Sequence, residues 1–340
     1  MASQTPVQTV RSAWWEPRID RAELKRLMKR SDAPGLYFLG VWLVLIVATG
    51  WAIHASYGSW WLVPAVLAYG AVLGFAYAPS HECAHGTAFR TRWLNEAVLW
   101  FSSFVWGESP THRRFAHSHH HTHTWHWQVD AQMGYRNPVS LRTYVGDVIG
   151  IVEFLPRLKL TLRHALGRIV DRERVYVPAT AVPTMIREAR ILLAVYVALL
   201  AWAVVGQTWV PLLYFFIPRF AGAFGVFLFI TTQHMAMNQD VYDHRENSRS
   251  MTNSWLSRVL YWNMNYHIEH HIYPSVPFHA LPALNAAIRD QLPEPCPGLL
   301  AAHVEIVRTI LAQRRDPTVF VHHPIPGAHR GAAPSANAGA

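Results

Sequence analysis

Cysteine is nearly absent from this 340-residue chain, which contains only Cys83 and Cys296. Two cysteines are too few for a disulfide framework or a thiolate metal cage. The chain also lacks a Cys-x-x-Cys pair and any evident haem-binding segment, so it carries no iron–sulfur or rubredoxin module of its own. Any metal chemistry in this chain must therefore depend on other side chains.

Charge is missing from two long stretches of the sequence. No Asp, Glu, Lys or Arg occurs between residues 35 and 80, and a second uncharged run covers residues 191–218 and continues after Arg219 to residue 239. A helix needs roughly 20 apolar residues to cross the hydrocarbon core of a bilayer. Each stretch is long enough for two crossings, so the sequence predicts an integral membrane protein. The four predicted spans are residues 37–53, 61–77, 191–205 and 212–232.

Basic residues are also missing, from the two short turns that join the spans of each pair. All 30 Lys and Arg except Arg219 lie before residue 37, between residues 81 and 190, or after residue 233. Loops retained in the cytoplasm carry an excess of Lys and Arg. We therefore expect both termini and the large central segment to be cytoplasmic. Attraction to anionic lipid headgroups accounts for the net charge of +9, so no nucleic-acid partner is expected.

These patterns predict an all-α membrane protein with two transmembrane hairpins, in-plane helices and a cytosolic helical cap. Two apolar stretches, residues 94–106 and 144–155, are too short to span and are interpreted as in-plane or re-entrant helices. No cleavage site follows a short apolar core, so a cleaved signal peptide is not expected. We expect a bacterial cytoplasmic membrane rather than the endoplasmic reticulum. The predicted regions are a cytosolic segment with an interfacial helix (1–34), a membrane domain (35–315, with its cap from 81–190 and 234–315) and a disordered tail (316–340).

Histidine is abundant, with 21 residues, and its clusters follow the predicted spans on the cytoplasmic side. His81 and His85 lie at the cytoplasmic end of the second predicted span. Their i and i+4 spacing puts both imidazoles on one helical face. Two further clusters have the spacing H-x-x-H-H, and such positions converge on a helix. Nine imidazoles are too many for one ion and suit two, but the ligand type is compatible with Zn, Cu, Fe or Ni. The candidate ligands are His81, His85, His117, His120, His121, His234, His267, His270 and His271.

The pattern H-x-x-x-H, H-x-x-H-H and H-x-x-H-H, interleaved with two pairs of spans, resembles the membrane fatty acid desaturase and hydroxylase superfamily over residues 35–285. Residues 263–277, with the sequence Asn-Met-Asn-Tyr-His-Ile-Glu-His-His-Ile-Tyr-Pro-Ser-Val-Pro, resemble the third histidine box of its acyl-lipid desaturases. The resemblance implies a di-iron centre held by the eight box histidines, with His234 matching a further ligand position. It also implies O2 as cosubstrate.

Several other residues are candidates for roles around this centre. Neighbouring carboxylates and amides are expected to orient the imidazole rings; they are Glu82, Asp130, Asn263, Asn265 and Glu269. Possible substrate contacts are Arg219, Trp125, Trp127 and Glu108, with Glu108 and Asp240 as possible partners of the intramembrane Arg219. Because the chain has no electron carrier of its own, a separate ferredoxin- or rubredoxin-type protein and its reductase must supply electrons, and the basic face favours an acidic carrier.

The leading functional hypothesis is desaturation of a fatty acyl chain. The alternative within the same chemistry is a hydroxylase or demethylating monooxygenase of a lipid, a terpenoid or a small methylated compound. A more remote alternative is a histidine-rich metal transporter or a membrane zinc hydrolase, although transporters place their ligands near the bilayer midplane. The sequence leaves the substrate, the regiochemistry, the electron donor and the oligomeric state open.

Overall fold

A computed structural model describes residues 14–327, and this part of the chain is helical, with no β-strand. Four helices are long and apolar enough to cross a membrane. They are Asp32–Ala55, Leu62–His85, Val182–Val205 and Leu212–Ile230. All four predicted spans are therefore present, and the all-α membrane fold is confirmed. The second and third helices extend further toward the cap than predicted.

Two of the spans are irregular. The second is built from α3 (Leu62–Gly74) and α4 (Tyr77–His85), which follow one another through a single turn. The fourth begins with a π-helical turn, Leu212–Phe216, and continues through α11 (Ile217–Ala221) and α12 (Phe224–Ile230). The first span is α2 (Asp32–Ala55) and the third is α10 (Val182–Val205). A π-turn inside a helix shifts the register of the side chains that follow it.

The remaining helices precede the first span or form the cap. The residue range 94–106 lies within a single helix, whereas residues 144–155 are divided between two helices that meet at Gly150, where φ is +72°. These helices are α1 (Arg21–Leu27), α5 (Arg92–Trp106), α6 (Pro110–Thr122), α7 (Leu141–Ile149), α8 (Ile151–Ala165), α9 (Asp171–Arg174), α13 (His244–Asn247), α14 (Trp255–Leu260), α15 (His267–Ile272), α16 (Leu281–Ile288) and α17 (Leu299–Gln313).

Both ends of the described chain pack against the cap. The backbone N–H of Trp15 donates to the Tyr242 carbonyl, and the N–H of Val321 donates to the Ala236 carbonyl. Val321 is buried, so the folded chain extends past residue 316, where the sequence predicts a disordered tail to begin. Residues 1–13 of the predicted N-terminal segment and residues 328–340 of the predicted tail lie outside the described residues.

The second and fourth spans touch through their backbones at two glycines. A Cβ atom at Gly222 would lie 2.1 Å from the Gly70 carbonyl carbon, and a Cβ atom at Gly70 would lie 2.3 Å from the Pro218 carbonyl oxygen. Small residues let membrane helices approach this closely. The crossing fixes α3, and with it the histidines of α4, against the span that leads to His234.

We expect Gly222→Ala to destabilise the protein because its methyl group would overlap the backbone of α3. Overpacking of this kind typically costs about 1–3 kcal/mol. The measurement is the thermal midpoint of the detergent-solubilised protein, followed by size-exclusion chromatography. Gly40→Ala is the matched control, since a Cβ atom at Gly40 meets no atom within 4 Å. Equal midpoints for the two variants would contradict this account of the crossing.

Candidate metal centre

The first pair of histidines lies in the last turn of α4. His81 and His85 project from the same helical face, and their ring centroids are 5.3 Å apart. The helix ends at Gly86, whose φ of +67° is the left-handed conformation that terminates helices at low cost in glycine. The turn therefore stops the helix directly after its second candidate ligand.

The second histidine cluster lies on α6, whose start is fixed by side chains. Pro110 occupies the first turn, and the Ser109 hydroxyl accepts from the His112 backbone N–H at 3.2 Å. The Glu188 carboxylate on α10 accepts from the backbone N–H and the hydroxyl of Thr111 at 2.8 and 2.9 Å. A carboxylate at a helix N-terminus is favourable. These bonds hold α6 against the third span.

The third histidine cluster forms most of α15, a short buried helix. The Ser250 hydroxyl accepts from the Ile268 backbone N–H at 3.0 Å and donates to Glu269 at 2.6 Å. His234 follows the fourth span and lies beside this helix, with its Nε2 atom 2.9 Å from that of His267. Residues far apart in the sequence are thus brought to one place between the bundle and the cap.

The nine candidate ligands separate into two adjacent groups. Potential ligand atoms within each group lie within 4.8 Å of one another. The five-histidine group is His81, His85, His117, His121 and His270. The three-histidine group is His120, His234 and His271, and His267 joins it through Nε2 contacts of 2.9 Å with His234 and 3.0 Å with His271. The groups adjoin where the His121 and His271 ring centroids are 4.3 Å apart.

Four of these rings have an oxygen as hydrogen-bond partner at Nδ1, on the side facing away from the groups, and His81 Nδ1 contacts the sulfur of Met264. His117 donates to Gln132 Oε1 at 2.9 Å, His120 to Asp130 Oδ2 at 2.8 Å, and His234 to the Asn247 carbonyl at 2.8 Å. His271 Nδ1 lies 3.1 Å from the Thr124 hydroxyl, which itself donates to the His120 carbonyl. A neutral imidazole that donates from Nδ1 presents a lone pair at Nε2. The lone pairs therefore point into the groups.

The donor set fits metal ions. The Nε2 atoms of His117 and His121 lie 3.2 Å apart, and those of His81 and His270 lie 3.0 Å apart. Two ring nitrogens at this distance are stabilised by a cation between them, which is either the proton of an N–H···N hydrogen bond or a metal ion. Nitrogen ligands bind such ions at about 2.0–2.1 Å, so ligands at right angles around one ion are about 3 Å apart. The observed spacing is that of imidazoles sharing an ion.

The titration behaviour of the cap histidines agrees with this arrangement. Burial, followed by the proximity of other imidazoles, holds the pKa of His117, His121, His267 and His271 well below the ordinary value. The pKa of His234 is lowered to about 3, mainly by burial. Metal ions bind the neutral imidazole. The centre therefore keeps these rings in the form that binds metal.

Two of the predicted orienting carboxylates lie against histidine rings. Asp130 is fully buried and accepts from His120 and from the backbone N–H groups of Trp125 and Gln132. Burial raises the pKa of Asp130, but the His120 ring and these N–H groups outweigh it, and the pKa lies below its ordinary value. Glu82 is also fully buried, with one carboxylate oxygen 3.8 Å from His270 Nδ1.

The other three predicted orienting residues bond elsewhere. Glu269 accepts from Ser250 and Asn285, so its carboxylate anchors α15 from the side opposite the metal centre. Asn263 donates to the Phe278 carbonyl and accepts from Arg258, and Asn265 donates to the Met251 carbonyl. These bonds fix the chain that precedes α15. Their effect on the histidines is through the backbone, because none of the three amide or carboxylate groups bonds to an imidazole within the described chain.

A third group of potential ligands, His112, His164 and Glu173, has a different character. His112 is bonded to Glu108 at 2.7 Å and to the Tyr176 hydroxyl at 3.2 Å, and His164 is bonded to Glu173 at 3.2 Å. Both ring nitrogens of His112 and the Nε2 atom of His164 meet an oxygen partner instead of another imidazole nitrogen. We interpret this group as a hydrogen-bond network that joins α6, α8 and α9.

Glu108 belongs to that network and does not line the two cavities whose walls include the candidate ligands His120 and His234 or His85, His121 and His271. Arg157 donates to Glu108 at 2.8 Å. Burial alone would raise the pKa of Glu108, but His112 and Arg157 lower it to about 2. Arg219 does not pair with Glu108 or Asp240, the two suggested partners. It donates to the Tyr196 hydroxyl at 3.3 Å and lies over the Phe154 ring.

The two tryptophans after the second cluster occupy different environments. Trp125 is buried and stacks on the His234 ring, with centroids 5.0 Å apart and an interplanar angle of 20°. Trp125 also lines a cavity of about 410 Å³ whose wall includes His120 and His234. Trp127 is half-exposed, and its backbone N–H donates to Asp240 at 2.8 Å. Trp125 therefore faces the cavity beside the histidines, while Trp127 does not line it and lies on the outer side of the same turn.

The sequence did not predict the residues outside the histidine boxes that form hydrogen bonds with the candidate ligand imidazoles. Gln132, Thr124 and the Asn247 carbonyl bond to His117, His271 and His234. Gln132 and Thr124 follow the second cluster closely, which is the only local signal for them. His244 was also missed, and its ring centroid lies 5.1 Å from that of His271. No spacing rule relates His244 to the boxes.

Four membrane-spanning helices beneath a cap that gathers nine histidines define a membrane protein with a histidine-lined metal centre. The model of the fatty acid desaturase family matches residues 58–300, well over half of the chain, and the chain belongs to the membrane fatty acid desaturase and hydroxylase superfamily. Membership makes the protein a lipid-embedded oxidoreductase. The chain matches none of the curated proteins.

Proposed function

We propose that this protein is a di-iron oxidoreductase that uses O2 to oxidise an unactivated C–H bond. The observation that carries the proposal is the convergence of imidazole lone pairs in two adjoining groups. When bound there, two iron ions would supply the dioxygen chemistry needed to attack such a bond. In this proposal the nine histidines are the ligands, and the cap and both chain ends are cytosolic.

The roles of the chain's own residues follow from their contacts. Asp130, Gln132, Thr124 and the Asn247 carbonyl hold imidazole rings from outside, so that the Nε2 atoms stay aimed inward. Trp125 covers one face of the His234 ring.

Two outcomes of the same chemistry must be distinguished. In desaturation, two adjacent methylenes lose two hydrogens, and with O2, two electrons and two protons the products are an alkene and two waters. In hydroxylation, one oxygen atom enters the C–H bond and the other becomes water; at a methyl on nitrogen or oxygen, the product then releases formaldehyde. Family membership supports the first outcome, on a fatty acyl chain. The polar cavity beside His120 and His234 supports the second as an alternative.

Product analysis of the purified, iron-loaded protein would test the proposal. The protein would be supplied with a ferredoxin, its reductase, O2, and either acyl lipids or small methylated compounds. An alkene identifies a desaturase, an alcohol a hydroxylase and formaldehyde a demethylase. Metal analysis of the protein as isolated, before any iron is added, should give two irons per chain. A single zinc ion per chain with no oxidised product would favour a hydrolase and overturn the proposal.

A contact chain from the surface to His271 supports a place for the external electron donor. The Trp14 ring stacks on His244, with centroids 4.1 Å apart and planes within 7°, and His244 lies beside His271. Trp14 also lines a cavity of about 310 Å³ whose wall includes His85, His121 and His271. Electron transfer slows steeply with distance, so a carrier docked over Trp14 would be close to both groups.

We therefore expect Trp14→Leu to slow reduction of the iron-loaded protein by reduced ferredoxin several-fold, because it removes the aromatic ring between the surface and His244. Stopped-flow absorbance would follow the oxidation of the ferredoxin. Trp60→Leu is the control, since Trp60 is exposed on the loop between the first two spans. Iron content should be unchanged in both variants. An unaltered rate in Trp14→Leu would place the donor elsewhere.

A further inference from the structure

The wall of the cavity beside the metal centre is unusual for a site that must hold an acyl chain. We name this cavity the polar chamber. Its volume of about 410 Å³ is in the range of cavities that bind small molecules. His120, Trp125 and His234 form its metal side. Five charged side chains also line it: Arg113, Arg142, Arg157, Asp147 and Glu153.

Two of the five charged side chains, Arg157 and Glu153, form ion pairs within the protein. Arg157 donates to Glu153 at 3.2 Å and to Glu108 at 2.8 Å. Arg142 lies at the exposed end of the chamber. The side chains that remain to be explained are one cation and one anion, Arg113 and Asp147.

Arg113 is a buried cation, with 4% of its surface exposed. It lies on α6 one turn before His117, and its guanidinium lies over the Tyr77 ring, 5.1 Å from the centroid. Its Nε and Nη2 atoms have no hydrogen-bond partner among residues 14–327. A buried guanidinium without an acceptor is costly. An acceptor group on a bound molecule would remove that cost.

Asp147 faces the same chamber from α7. One carboxylate oxygen accepts from the Thr231 hydroxyl at 2.6 Å, but no Lys, Arg or His within the described chain forms an ion pair with it. Burial raises the pKa of Asp147 to about 6. Trp125 and Tyr135, whose ring centroids are 5.3 Å apart, line the chamber as well. Aromatic rings and a carboxylate together suit an amine or a methylated ammonium group.

The space around the chamber also limits the length of its occupant. The apolar crevice that continues from it between the spans, and shares Glu153, Arg157 and Phe227 with it, has a volume of only about 40 Å³. That is room for about one water molecule. Methylenes in the chamber itself would cover Arg113 and Asp147 without bonding to them. A long acyl chain therefore does not match the polarity of the chamber and cannot extend from it into this crevice.

We propose that the polar chamber binds a compact polar amine as the substrate, with its amino or methylated ammonium group toward Asp147 and a hydroxyl or carboxylate toward Arg113. The inference rests on the proposed function and selects its oxygen-inserting branch. A methyl group on the bound amine or ether would face His120 and His234. One atom of O2 enters its C–H bond, the other leaves as water with two electrons from the carrier and two protons, and the hydroxymethyl product then releases formaldehyde.

Isothermal titration calorimetry on the full-length, iron-loaded protein in detergent would test the inference, with glycine betaine, N-methylglucamine and 3-O-methylglucosamine as probes. At least one probe should bind to the wild type. Asp147→Asn and Arg113→Gln should each weaken that binding about tenfold or more, because each removes a charged hydrogen-bond partner. Iron content, measured for every variant, identifies any that are misfolded.

Matched controls are available for both substitutions. Arg114→Gln changes the next residue of α6, which pairs with Glu96 at the surface, and Asp171→Asn changes a fully exposed carboxylate. Both should bind the probe as the wild type does. Binding that is unaffected by Asp147→Asn and Arg113→Gln would overturn the inference, and so would failure of all three probes to bind.

The same preparations distinguish this inference from the proposed function. If a dipalmitoyl phospholipid in vesicles is desaturated while no probe binds, the proposed function stands and the polar-amine substrate is wrong. If a probe binds through Asp147 and Arg113 but is not oxidised when two irons, ferredoxin and O2 are present, the binding site stands and the oxidative function is wrong. Release of formaldehyde from a bound probe supports both.

Discussion

His117→Ala and His120→Ala should each remove about one of the two metal ions and abolish oxidation. The two residues lie on the same helix, but His117 belongs to the five-histidine group and His120 to the three-histidine group. Each substitution deletes one inward lone pair from a different group. The missing imidazole leaves a gap in the ligand shell of one ion, which is then bound too weakly to survive purification, whereas the neighbouring group keeps all of its own ligands.

The measurement is the iron content per chain, together with product formation under O2. His119→Ala is the control, because His119 lies between the two positions in sequence but donates to the Val129 carbonyl and lies outside both groups. It should retain two irons. The ion that remains in each variant should also differ in its Mössbauer spectrum, since the two groups have different ligands. Identical spectra, or two irons in either variant, would contradict the assignment of these histidines to separate groups.

This division of the histidines shows where sequence reasoning reached its limit. The H-x-x-H-H spacing predicts convergence, and all three boxes do converge. At 100° per residue, however, position i+4 lies 40° from position i, while position i+3 lies 60° away on the other side. The first and last histidines of each of the two H-x-x-H-H boxes therefore face one group and the middle one faces the other: His117 and His121 differ from His120, and His267 and His271 differ from His270.

Which of two groups a ring joins depends on the position of neighbouring helices, and spacing alone does not contain that information. The spans were predictable for a different reason. A long run of residues without charge is a local and strong signal for a membrane span. The four crossings could therefore be identified from the sequence. Their ends were less certain, because α4 continues into the cap through polar residues that an apolar pattern excludes.

The polar chamber was the least predictable part of the candidate site. Arg219 stood out as a charge within an uncharged run, yet it stacks on Phe154 and Tyr196 at the edge of the small apolar crevice. Arg113 lies among other polar residues and Asp147 lies within the apolar stretch 144–155, and neither position belongs to a motif that distinguishes it. They became significant only in the folded structure, which places the buried Arg113 and the half-buried Asp147 in the wall of one chamber without partners of opposite charge. A buried unpaired charge is a property of the packed structure and not of a motif.

Asp130→Asn should weaken metal binding at the three-histidine group by about 10- to 100-fold, the usual cost of losing a carboxylate that bonds to a ligand imidazole. Asp130 Oδ2 accepts from His120 Nδ1 at 2.8 Å and from the Trp125 N–H at 2.9 Å, so the carboxylate fixes both the ring and the tryptophan that covers His234. Asparagine keeps the size of the side chain but has no negative charge to increase the basicity of His120.

Competition between the loaded protein and an iron chelator would measure the affinity of the more weakly bound ion. Asp240→Asn is a matched control, because Asp240 also accepts a backbone N–H, from Trp127, but is exposed and bonds to no histidine. The five-histidine group should hold its ion equally well in both variants, since His117 is oriented by Gln132 and not by Asp130. Equal weakening of both ions in Asp130→Asn would mean that the carboxylate acts through the fold of the cap, and that the orientation of His120 is not its main contribution.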